Sequence, residues 1–123
     1  MSIETTANVQ QCTVEQVGAR PVRDEGAEGI AIREVFTDAT GAPTFAMRRF
    51  DVDPGGHTPF HTHAWEHEVY ILDGQGELRT EEGVRRFQRG DALFVAPGVR
   101  HQFAASPAAP MQFLCMIPVQ KTC

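Results

Sequence analysis

The 123 residues predict one all-β domain, a sandwich or barrel. Two observations carry this. From Gly29 onward, short apolar or alternating runs rich in Val, Ile, Phe and Thr recur, separated by breaks containing Gly, Pro or Asp. No stretch of ten or more residues offers a helical apolar stripe with caps at both ends.

Taken in order, residues 1–27 are polar and without clear periodicity. They predict an N-terminal arm, partly ordered or exchanged with a partner chain. The barrel is expected over 28–123. Its strands read "IAIREVF", "TFAMRRFDV", "TPFHTH", "HEVYIL", "GELRT", "VRRFQ", "ALFVA", "HQFAA" and "MQFLCMI". The connections read "DATGAP", "DPGG", "DGQG", "EEG", "QRGD", "PGVR" and "SPAAP", in which Gly and Pro supply the backbone angles of turns. "AWEHEVYIL" could be forced into a helix, but Val, Tyr and Ile at its end favour a strand. In "FAMRRFDV" alternate residues share a face. Ala46, Arg48, Phe50 and Val52 are taken as inward, because Asp51 in the other set tolerates burial least.

With 41% hydrophobic and 22% charged residues, the composition is that of an ordinary globular protein. The net charge of -5 and the lack of any Lys/Arg block argue against nucleic acid or an anionic membrane surface as partner. No basic start followed by an apolar run marks a secretory signal, and no segment approaches bilayer length. Cys12, Cys115 and Cys123 are an odd, widely spaced set rather than a disulfide framework. A reduced, cytoplasmic protein is expected.

Four of the five histidines fall between His57 and His67. On a strand, His61 and His63 would be displayed together with Thr62 pointing away, which makes half of a transition-metal site. Past them, "AWEH" can turn the chain and return either His67 or Glu68 to the same centre; strand alternation disfavours both. His101, following "GDALFVAPGVR", fits as the ligand from a distant strand, with Phe103 beside it on the same face. His57 reads first as a surface or hydrogen-bonded residue.

Gly55, five residues, "HTH", then "AWEHE" and Gly74 resembles the first motif of the cupin superfamily; "GDALFVAPGVRH" resembles the second, with Pro97 and His101 closer together than usual. The similarity runs from about Ala42 to Pro118. It implies an antiparallel β-barrel, or jelly roll, with one divalent transition metal inside. The spacing His-x-His-x-x-x-His-Glu resembles the small single-domain cupins with four histidine ligands, which implies His61, His63, His67 and His101 here. The rival set replaces His67 with Glu68. Four neutral imidazoles leave the full +2 on the ion, favouring anionic or enolisable substrates, whereas a carboxylate would halve it. Mn or Fe is favoured, with Zn, Ni or Cu as alternatives.

The catalytic residues are not legible; the weak candidates are Arg48, His57, Glu68 and Cys115. Arg48 could hold a substrate carboxylate, with Arg49 an equal competitor. Cys115 shares a face with Phe113 and Ile117, either as an oxidisable thiol facing the cavity or as packing. Trp65, Phe94 and Phe103 are expected as wall and rim. The leading functional expectation is a metal-dependent oxygenase activating dioxygen on a small-molecule substrate. The alternatives are a Lewis-acid isomerase or lyase, for which His57, Glu66 or Glu68 would have to serve as base, and a binding module without turnover. Cupins resemble one another in forming homodimers, and an outer face carrying Phe45 and Met47 fits that arrangement.

Overall fold

A computed structural model of the chain describes residues 4–6 and 8–121. Its elements in chain order are β1 (Glu4–Thr6), β2 (Val9–Gln11), a 3-10 turn (Val14–Gln16), β3 (Ala19–Pro21), β4 (Glu28–Phe36), a second 3-10 turn (Asp38–Thr40), β5 (Phe45–His57), β6 (His67–Asp73), β7 (Gln75–Thr80), β8 (Gly83–Gln88), β9 (Ala92–Val95), β10 (His101–Ala105) and β11 (Met111–Pro118). Among the described residues there is no α-helix, and none is long and apolar enough to cross a membrane.

β1 and β2 form a hairpin of their own. The other nine strands build one sheet, ordered β8-β7-β10-β5-β11-β6-β9, with β4 also paired to β5 and β3 to β4. Each pairing is antiparallel, and the sheet curls into a half-barrel around its apolar face. β11 shows why: Met111, Phe113, Cys115 and Ile117 are buried while the residues between them are only half-buried, the period-2 pattern of a strand with one face on a core. Phe113 stacks on Phe50 across β11 and β5, with ring centroids 5.0 Å apart. It also meets Phe103 of β10 at 5.3 Å. This aromatic contact joins the two curled halves of the sheet.

The inward assignment on β5 holds: Ala46, Arg48, Phe50 and Val52 are all buried. Two sequence expectations are corrected. "DPGG" is not a turn between strands; β5 continues through it to His57 as a bulge, since Val52 and His57 pair with Ile30 and Glu28, which are only two apart. Gly56 permits the close approach, because a Cβ there would lie 2.8 Å from the Glu28 carbonyl oxygen. "TPFHTH" is not a strand either; its only ladder contact is a single bridge from His61 to His101.

The N-terminal segment packs on its own chain. β3 pairs with β4, and Val17 is 3% exposed. Arg33 Nη1 donates to the carbonyls of Val17 (2.6 Å) and Glu15 (3.0 Å). Arg49 lies on the opposite face of β5 from Arg48, yet is buried. Its guanidinium pairs with Glu15 (2.7 Å) and Asp51 (3.1 Å). Residues 13–17 thus cover an outer sheet face that the sequence reading left open.

Candidate metal centre

His61 and His101 come together through the backbone. Their amides and carbonyls exchange hydrogen bonds of 3.0 and 2.8 Å, which anchors the "HTH" loop to the start of β10. His63 leaves the same loop, and His67 opens β6 as a buried, inward residue. Glu68, next along β6, is exposed on the outer face opposite Met116 and Phe94.

One ring nitrogen from each of His61, His63 and His101 lies within 4.8 Å of the others, so this triad can hold a metal ion. His67 adjoins it: its ring stacks on His63 at 4.5 Å and meets His101 edge-on at 4.8 Å, and its Nε2 contacts His63 Nε2. Around the cluster, outer partners fix the rings. His63 Nδ1–H donates to the Trp65 carbonyl (2.9 Å) and His101 Nδ1–H to the Val99 carbonyl (2.7 Å). A carbonyl only accepts, so both rings carry their proton on Nδ1 and present Nε2 as a bare lone pair. His101 Nε2 is buried without a hydrogen-bond partner. A buried lone pair of this kind is costly unless a cation takes it, and in that respect the residues fit a transition metal.

The electrostatics agree. Burial, then the neighbouring imidazoles, depress His61 to a pKa of about 4 and His67 to about 3. Burial likewise lowers His101. These rings are neutral at pH 7, the form in which imidazole binds metal.

His61, His67 and His101 line a cavity of about 150 Å3. Ile30, Ile32, Phe50, Phe103 and Phe113 make its apolar wall, and Arg48 and Cys115 also face it. Arg48 Nη2 donates to the Lys121 carbonyl (2.7 Å). At the mouth, Arg20 of β3 pairs with Glu34 of β4 at 3.2 Å.

The remaining sequence candidates fall elsewhere. His57 is outside the cavity, its Nδ1 against the Thr58 carbonyl (3.1 Å) and its Nε2 3.9 Å from Glu28. Glu66 and Glu68 sit together at an outer groove. Phe94 is corrected from wall to surface, at 61% exposed, because it shares the outward parity of Glu68 across β9. Trp65 backs His63 instead of lining the cavity, its ring parallel at 4.5 Å. Cys12 is a free thiol, Cys115 is buried with its Sγ 3.3 Å from His67 Nδ1, and Cys123 lies outside the described residues. Sequence reasoning missed Arg20, Val22 and Asp24 as cavity residues. The alternation in "RPVRD" was the available signal, hidden by the polarity around it.

A half-barrel of antiparallel strands with clustered histidines, three of which line a largely apolar cavity, is a cupin-type arrangement. The chain belongs to the cupin domain family, whose profile matches residues 48–117. It is 32% identical over 89 residues to the 1-methylthio-D-xylulose 5-phosphate methylsulfurylase of Rhodospirillum rubrum, a match covering 72% of this chain and 56% of that protein. The chain therefore spans little more than half the length of that relative. Among solved structures it resembles a polyketide cyclase from Streptomyces resistomycificus, with 32% identity, a TM-score of 0.86, and coverage of 91% of this chain and 80% of the other. It also resembles a cupin-2 domain protein from Rhodospirillum rubrum, with 26% identity, a TM-score of 0.74, and coverage of 85% and 70%.

Proposed function

We propose that this cupin is a metal-dependent enzyme acting on a small, enolisable carbonyl compound, with His61, His63, His67 and His101 as ligands. The observation that carries the reading is a cluster of four imidazoles, without a carboxylate among them, of which His61, His67 and His101 line a largely apolar cavity. Such a donor set leaves the ion's charge unneutralised, so the bound metal supplies Lewis acidity to a carbonyl or enolate oxygen. Ile30, Ile32, Phe50 and Phe103 exclude water and hold the apolar body of the substrate. Arg48, buried in the same wall, holds an anionic substituent. The two relatives at 32% identity, a polyketide cyclase and a methylsulfurylase, support small-molecule chemistry.

Dioxygen activation at Fe or Mn is the second reading. It is favoured by one feature: beyond the histidines, the buried cavity wall is apolar apart from Arg48 and Cys115, and oxygen chemistry asks little of flanking acid–base groups.

The test loads the untagged protein with Zn, Mn or Fe and adds a small β-diketone. Deuterium exchange at its acidic carbon, measured by NMR without oxygen and supported by Zn, is the expected result. Oxygen uptake only with Fe or Mn would replace it with the oxygenase reading. A protein that retains no metal after reconstitution would overturn both and leave a binding module.

The outer face of β5, β11, β6 and β9 carries Phe45 (66% exposed), Tyr70 (43%) and Phe94 (61%) beside Met47 and Met116. We propose that a second copy of the chain covers it, forming a homodimer. Light scattering that returns the 13.6 kDa mass of a single chain would refute this.

A further inference from the structure

A ligand histidine needs an outer partner to hold its ring, and those of the buried His67 and His101 and the half-buried His63 are not alike. His63 and His101 donate to backbone carbonyls. His67 is instead met by a side chain: Cys115 Sγ lies 3.3 Å from His67 Nδ1, with the thiol wholly buried and the ring 2% exposed. β11 delivers it there, since Cys115 pairs with Val69, two residues beyond His67 on the same face of β6. The difference is chemical. A carbonyl accepts only and locks one tautomer, whereas a thiol donates or accepts. Without metal, the thiol proton can donate to Nδ1 while Nε2–H donates to the bare Nε2 of His63. With metal on Nε2, the ring's single proton sits on Nδ1 and donates to sulfur. The ring is neutral in both states.

The geometry points to Cys115 as the positioning residue for His67, holding that ligand in both tautomers and so setting the affinity of the centre. This rests on the four-histidine reading proposed above. It also makes His67 the ligand whose outer contact a single side-chain substitution can remove, because the other two contacts are to backbone.

The experiment measures Co2+ affinity by chelator competition, together with the visible ligand-field spectrum, in the full chain. Cys115→Val keeps apolar packing and removes the sulfur. It is expected to weaken Co2+ binding about 10- to 100-fold and to shift the spectrum. Cys115→Ser recovers part of the loss, and Ile117→Val, on the same face of β11, changes neither readout. In a His67→Ala background the effect of Cys115→Val falls below about 2-fold, because coupled residues are non-additive. Should Cys115→Val fail to fold, Cys115→Ala carries the same expectation. Wild-type affinity and spectrum in the Cys115 variants, or an equal loss in both backgrounds, would overturn the inference while leaving the ligand set intact. Unchanged affinity in His67→Ala alone would overturn the four-histidine reading itself, and the inference with it.

Discussion

His61 and His101 are joined backbone to backbone, each donating its amide to the other's carbonyl, although one lies in a loop and the other opens β10. The bridge fixes where the "HTH" loop meets the barrel, so side chains far apart in sequence share one centre without a continuous strand to align them.

The ligand set makes the first prediction. His67→Ala lowers metal retention, whereas Glu68→Ala leaves it unchanged, as measured by elemental analysis of untagged protein. Glu68 faces away from the cluster on β6. Retention in the first variant and loss in the second would reverse the assignment.

Acid should destabilise the metal-free protein earlier than its carboxylates alone would. His61 and His67 take up protons near pH 4 and 3 when folded, but near 6.5 when unfolded. Between these values the unfolded chain binds protons that the folded chain refuses, so stability falls as pH falls. The slope is about 1.4 kcal/mol per pH unit for each such histidine, an upper figure for the partly exposed His61. From pH 6.5 to 5 the effect comes from the buried histidines, His101 adding to His61 and His67, because Glu15 is depressed from 4.5 and contributes only below it. Urea midpoints that are flat from pH 7 to 5 would contradict it.

Arg49 and Glu15 form one ion pair with unequal consequences. Arg49 is 5% exposed, and Glu15 is 70% exposed. Arg49→Ala removes a buried side chain and one of the two cations that pair with Asp51, Arg33 being the other, and should cost about 2 kcal/mol. Glu15→Ala should cost clearly less, since its charge is solvated and Asp51 still pairs with Arg49. Chemical denaturation of both variants makes the comparison, and equal losses would count against it.

Gly76 sits where β7 pairs with β10, and a Cβ there would stand 2.1 Å from the Ala104 carbonyl oxygen. Neither strand can yield without losing ladder hydrogen bonds. Gly76→Ala should therefore destabilise the fold by about 3 kcal/mol, measured by thermal or urea unfolding. Gly90→Ala would meet no neighbouring atom within 4 Å and serves as a control for the positive φ of 92° alone.

Much of this molecule was legible residue by residue. The period-2 burial of "MQFLCMI" and the inward set Ala46, Arg48, Phe50 and Val52 follow from strand geometry, which places alternate residues on opposite faces whatever the partner strand. The same alternation turns His67 inward and Glu68 outward once β6 is known to begin at His67. What local pattern could not supply was pairing. That "DPGG" is a bulge within β5, that "TPFHTH" bridges β10 without being a strand, and that the buried Arg49 pairs with Glu15 each depend on a distant segment supplying the hydrogen bonds. The sequence by itself determined an all-β cupin-like domain and its cluster of histidines, because side-chain periodicity and turn chemistry are local. Only the tertiary structure decided which imidazoles converge, that Cys115 supports His67, and that the N-terminal segment helps wall the cavity. Those contacts join residues that only the curl of the sheet brings together.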